Sequence, residues 1–419
     1  MILIKNATII YPGHELNNSK RDLLIKNGVI EKIATQIKAD KAKVISSKNL
    51  HVSPGWMDIG ALGGEPGYEH RETLESLTAT AASGGYTALA LFPNTNPVID
   101  NRSSVQYILN QTKEHIVDHY PIGAFSKDCK GEEITEMMDM HHSGAIAFSD
   151  GLKPVTSNRL LMRALDYAKS VDGLIIHHPT DPALNNGNLV NEGVVSISLG
   201  MKGNPNISEL LSLERDILLN SYTGSRILLY NISTQESVEK IGTQKSKKLF
   251  ASVSYLNLCK TEAELSSYDS NYKLTPPLRT EDDRAALVNG VNKKIIQLIT
   301  SNHVPLEEEA KKKEYIYADP GATGLQTCYA AVNTYASQLS ATRFVSCVAI
   351  NSRKILKLPE VQLVPGSKAE LTLFDPSTEW TLDAKTNTSK SKNSPFWNKS
   401  LKGTVIGIVN GKKSFFNKY

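Results

Sequence analysis

Short runs of alternating apolar and polar residues open the chain: Ile2-Leu3-Ile4, Ala7-Thr8-Ile9-Ile10, Asp22-Leu23-Leu24-Ile25 and Val29-Ile30-Glu31-Lys32-Ile33. This period suits half-buried strands, and Asn27-Gly28 supplies a tight hairpin turn between the last two. The far end has the same character, with Ala369-Glu370-Leu371-Thr372-Leu373-Phe374 and residues 403–412 reading as strands. The middle differs. Apolar runs such as Ala88-Leu89-Ala90-Leu91-Phe92, Ala145-Ile146-Ala147-Phe148, Leu174-Ile175-Ile176-His177, Ile227-Leu228-Leu229-Tyr230 and Ile295-Ile296-Gln297-Leu298-Ile299 alternate with helical spacing over 72–83, 158–170 and 207–219. Repeated strand–helix units give a parallel sheet, and this many in one block favour an α/β fold closed as a (β/α)8 TIM-like barrel over residues 51–345. Residues 385–399 are polar, unpatterned and expected to form a loop.

Composition narrows the function classes. Hydrophobic residues make up 40% and charged residues 21%, which suits a globular chain with a large core. A net charge of +4 is small for 419 residues, and the basic runs at 245–248 and 311–313 are short, so no nucleic-acid partner is expected. Four cysteines without a Cys-x-x-Cys pair point to free thiols in a reducing cytoplasm. The N-terminus lacks a basic leader followed by a long apolar stretch, so neither export nor a membrane span is expected.

The segment Pro54-Gly55-Trp56-Met57-Asp58-Ile59-Gly60-Ala61-Leu62-Gly63-Gly64-Glu65-Pro66-Gly67 resembles the dihydroorotase branch of the amidohydrolase superfamily. There the run is Pro-Gly, two hydrophobic residues, then Asp-x-His-x-His-x-Arg-Glu-Pro-Gly. Further stretches carry the resemblance: Phe92-Pro93-Asn94-Thr95-Asn96-Pro97, Asn191-Glu192-Gly193 with Glu209 and Arg215, Lys273-Leu274-Thr275-Pro276-Pro277-Leu278-Arg279, and Asn393-Ser394-Pro395-Phe396. The resemblance implies that residues 1–50 and 346–419 join in one small β-sandwich module beside the barrel.

It also implies a reaction centre that this chain has lost. A family member holds zinc through four histidines, a bridging carboxylate and an aspartate, and the metal lowers the pKa of a bound water. Those six positions fall on Gly60, Leu62, Gly151, His178, Asn231 and Asn302, so only His178 is a retained ligand, and Asn302 stands where the catalytic aspartate belongs. Asp150 is next to Gly151, but adjacent strand residues point to opposite faces. His177 and His178 likewise cannot both point inward. Among substrate-binding positions Asn94 is kept, while Gly64 replaces an arginine, Thr275 an asparagine, Leu306 a histidine, and Pro320-Gly321 a Phe-Gly backbone clamp.

No Gly-x-Ser-x-Gly elbow offers nucleophilic chemistry instead. The expectation is a protein of de novo pyrimidine biosynthesis with no cofactor and no hydrolase activity. It would serve as a structural or assembly homologue, with aspartate transcarbamoylase as the implied partner and a homo-oligomeric state. The alternative is an active dihydroorotase, cyclising N-carbamoyl-L-aspartate with zinc in a non-standard site. A module that binds a small molecule in the vacated pocket is the third reading.

Overall fold

A computed structural model describes residues 1–188 and 190–418. The middle of the chain forms a closed parallel barrel. Strands Trp56–Ala61, Tyr86–Leu91 and Asp118–Pro121 make a three-stranded sheet, and Leu174–His177, Arg226–Leu229, Leu249–Ser254 and Leu298–Thr300 a four-stranded one. Phe148 bridges Gly123 on one side and Ile175 on the other, standing as the remaining strand of the eight. Closure comes from Asp58, whose carboxylate accepts from the Ser301 amide at 2.7 Å and the Ser301 hydroxyl at 2.6 Å, and from the Leu62 amide donating to His303 O at 3.0 Å.

These strands are apolar runs because both of their faces are buried, one inside the barrel and one under helices. Alternate residues point inward. Met57, Ile59, Ala88, Ala90, Leu174, Ile176, Leu228 and Tyr230 form the interior, and Ile355 and Leu356 of the helix Asn351–Leu356 pack against them. Helices Leu74–Ser83, Asn158–Lys169 and Asn206–Thr223 lie where the sequence spacing puts them. Thr73 starts the first with a reciprocal cap to Ser76.

Both termini share one sheet, ordered Lys413–Phe416, Ser400–Asn410, Glu370–Thr381, His51–Pro54, Ile2–Ile9, Lys20–Lys26 and Val29–Ala34, with Lys43–Ile45 also paired to the first strand. The hairpin at Asn27-Gly28 has both residues at positive φ. His51–Pro54 pairs with Leu371–Phe374 in this sheet although it falls in the stretch assigned to the barrel, and the helix Asn351–Leu356 supports the barrel although it falls in the stretch assigned to the terminal module. No helix among the described residues is long and apolar enough to cross a membrane.

Candidate functional site

Barrel enzymes carry their chemistry at the C-terminal ends of the strands, where loops converge on one mouth. Here packing fills part of that mouth, around Gly60, Gly64 and Gly151. Gly60, next to last in its strand, has φ +91°, and a Cβ on it would lie 2.4 Å from Tyr230 Oη and 2.7 Å from Phe92 Cε2. The two rings meet edge to face at 4.9 Å, and Tyr230 Oη donates to Ile59 O at 3.1 Å. A side chain at position 60 would need the volume that Tyr230 fills.

Gly151 repeats the arrangement with a different filler. It has φ +70°, and a Cβ would fall 1.8 Å from Asn94 Oδ1. Asn94 Nδ2 donates to Asp150 O at 3.1 Å, tying the turn after one strand to the turn after another. Leu62, Leu152, Val304 and Leu306 pack into one apolar group with Ala310. Two positions that would carry imidazoles thus contribute to a greasy plug. Gly64 is closed by backbone, since a Cβ there would sit 2.3 Å from Glu72 O. Gly321 O accepts from Lys311 Nζ and Asn393 Nδ2, each at 3.1 Å, so the carbonyl after Pro320 is already engaged.

The two asparagines at positions where the resemblance implies ligands bond within the protein. Asn231 Oδ1 accepts from Thr300 Oγ1 at 2.6 Å and Ser252 Oγ at 3.3 Å, and Asn302 Nδ2 donates to Thr275 O at 3.0 Å. His178 and Thr275 do meet, in the lining of a cavity of about 250 Å³ that also includes Leu152, Glu209 and Arg279. His178 Nδ1 is 3.0 Å from Tyr230 O, which fixes it as the protonated nitrogen, and burial pushes the ring's pKa down.

The other candidate donors point elsewhere. His177 Nδ1 lies 2.5 Å from Asp216 on the helix outside the barrel. Asp150 accepts from the amide and hydroxyl of Ser126. His303 Nδ1 accepts from the Gly324 amide, and its Nε2 lies 3.7 Å from Glu72. Zinc needs three or more nitrogen, sulfur or oxygen donors converging on one point. Among the described residues no three His, Cys, Asp or Glu side chains do so. The residues at this mouth do not fit the metal that the resemblance implies.

Similarity to known proteins extends along the chain. The family described as Dihydro-orotase-like matches residues 51–237. A dihydroorotase of Thermoanaerobacter sp. (strain X514) is 38% identical, over 98% of this chain and 96% of that one. Another, from Aquifex aeolicus (strain VF5), is 35% identical over 99% of each. The chain belongs to the dihydroorotase family. Its fold is that of the amidohydrolases, a TIM barrel with a β-sandwich: L-hydantoinase (dihydropyrimidinase) from Arthrobacter aurescens superposes with a TM-score of 0.87 at 20% identity, covering 100% of this chain and 96% of that one.

The dihydroorotase-family residues kept in the helical middle are held in a buried polar network. Glu209 accepts from the amides and hydroxyls of Ser233 and Thr234 and from Ser237 Oγ, anchoring the start of the helix Gln235–Gly242. Arg279 donates to Ser233 Oγ, Asn191 Oδ1 and Asn204 O, and Arg215 to Asp216 and Val155 O. Sequence reasoning missed Tyr230 and Phe92 as the fillers, and Asp58–Ser301 as the closure. The one signal available was the pairing of a glycine at position 60 with a bulky residue beside Asn231.

Burial pushes Asp58 up to about 6, against the opposing donors of Ser301. An acid whose pKa rises on folding stabilises the folded chain fully below its unfolded pKa of about 4, and that contribution is lost as pH climbs through the folded value. The melting temperature of the wild type should therefore fall more steeply than that of Asp58→Asn across this window. Thermal melts at stepped pH check this, and parallel curves would contradict it.

Proposed function

We propose that this chain is a dihydroorotase-family protein of pyrimidine biosynthesis that has given up metal-dependent hydrolysis and works as a structural partner in the cytoplasm, with aspartate transcarbamoylase as the expected companion. One observation carries the reading: the ligand positions are filled as well as substituted, with Tyr230 and Phe92 in the space beside Gly60 and Asn94 in the space beside Gly151. A site that had merely lost its ligands would leave empty space beside these two glycines, and holes in a close-packed interior are costly. The retention of Glu209, Arg215 and Arg279 in a folding network further supports selection for the barrel itself.

Co-purification of the tagged full-length chain with the aspartate transcarbamoylase of the same organism tests the partnership. A stoichiometric complex on gel filtration is expected, and separate elution at micromolar concentrations would overturn it. The alternative of an active dihydroorotase rests on the names of relatives that are 35–38% identical along nearly the whole chain. It requires a metal site built from residues other than those at the barrel mouth.

A further inference from the structure

The net charge of +4 is the difference between two unlike parts. Residues 1–50 and 346–419 hold 21 lysines and arginines against 9 aspartates and glutamates, whereas residues 51–345 hold 26 against 34. The terminal module is therefore strongly basic and the barrel acidic, a separation that orients a protein in the field of a charged partner. Among the described residues, only Lys26, Lys357, Lys368 and Lys413 of the module's lysines come within 4.0 Å of a carboxylate. The other lysines face no opposing charge.

Part of this charge gathers at one end of the module. Lys26 pairs with Val29 across the Asn27-Gly28 turn, and Val29 bridges Lys368 on the neighbouring segment. Gly28 abuts a second turn so closely that a Cβ on it would lie 2.6 Å from Lys412 N. The Lys43 amide donates to Met1 O at 3.1 Å, and its ammonium lies 4.4 Å from the centre of the Phe416 ring. Among these lysines stand aliphatic side chains in water: Val29 is 37% exposed, Val44 51% and Val364 43%. Val364 is tied to the same end by Ser367, whose amide donates to Val364 O at 3.2 Å and whose carbonyl accepts from the Ile30 amide at 2.9 Å.

The composition of this surface separates the partners that could take it. Protein interfaces favour Arg over Lys, yet 19 of the module's 21 basic residues are Lys, and Arg353 is buried against Glu370. Single-stranded nucleic acid is held by exposed aromatic rings, and among the described residues the module exposes no Phe, Tyr or Trp. Lysines at a sheet edge also deter strand pairing, but that role gives no reason for the valines beside them. Hydrated ammonium groups with short aliphatic side chains between them suit an anionic lipid surface, where the charges sit over the headgroups and the apolar tips enter the boundary. We propose that this end of the module docks the protein on anionic phospholipid. The proposal is independent of the barrel's chemistry and of the transcarbamoylase.

Flotation of the full-length protein with phosphatidylcholine vesicles carrying about 30% phosphatidylglycerol should show binding that falls steeply as salt rises from about 50 to about 300 mM. Phosphatidylcholine alone should show none. The triple variant Lys26→Glu, Lys43→Glu and Lys412→Glu should bind at least about tenfold more weakly, and Lys412→Glu alone, at a turn, about threefold. Lys245→Glu, Lys247→Glu and Lys248→Glu make an equal change of charge on a basic run of the barrel and should leave binding within about twofold of the wild type. All six lysines are exposed, so both triples should melt with the wild type. Val44→Asn should weaken binding about threefold without changing its salt dependence. No binding to the anionic vesicles, equal losses in the two triples, or an unchanged Val44→Asn would each overturn the proposal. So would tighter binding to duplex DNA than to the vesicles at the same salt, lost in the first triple.

Discussion

Gly60→Ala should lower stability by about 2–4 kcal/mol, a large effect for one added methyl group, because it combines a positive-φ position with overpacking. The added carbon would press on Tyr230 Oη at 2.4 Å and Phe92 at 2.7 Å, and neither ring has room to withdraw from the barrel interior. Gly60→His should be worse and should accumulate as insoluble chain. The cause is separable. Tyr230→Leu alone should destabilise through lost packing, yet in its background Gly60→Ala should cost at least about 1 kcal/mol less, the coupling expected of residues in contact. Urea midpoints of the four proteins measure this, and a neutral Gly60→Ala would mean that Tyr230 does not fill the space.

Glu209→Ala should cost about 3–5 kcal/mol, for a different reason. It strands the buried amides of Ser233 and Thr234 and removes a carboxylate whose charge favours the buried Arg279 guanidinium. Glu209→Gln should fall between, because its amide oxygen can still accept but its amide nitrogen faces donors. Denaturant unfolding checks the order, and a loss below about 1 kcal/mol for the alanine variant would remove the case that this family residue is kept for folding.

Both results bear on what the sequence could reveal. Barrel strands buried on two faces announce themselves as apolar runs, which is why Leu174–His177 and Arg226–Leu229 were legible. Asp118–Pro121 was not, being four residues long with a charged and an imidazole side chain, and the 145–148 run pairs through a bridge at Phe148 with single backbone bonds at Ile146 and Ala147. The 295–299 run starts late, at Leu298, because the amides of Ile295 and Ile296 are held by Gly290 O at the end of the preceding helix. His51–Pro54 has a strand's pattern, but periodicity cannot say which sheet it joins. In the site, the substitutions at Gly60, Leu62, Gly151, Asn231 and Asn302 follow from the resemblance to the dihydroorotase motifs. What fills their space does not, because Tyr230 reaches Gly60 and Asn94 reaches Gly151 only across the folded barrel. Restoring the family residues one position at a time therefore meets Tyr230, Asn94 and the Glu72 backbone before it meets a metal.

The measurement closest to the central claim is the metal content of the purified, full-length chain, read together with its turnover of N-carbamoyl-L-aspartate after zinc is supplied. Less than one zinc per chain and no turnover above a protein-free control is the expected result. Two tightly held metals per chain, with turnover that disappears in His178→Ala, would contradict it and restore the protein to the active members of its family.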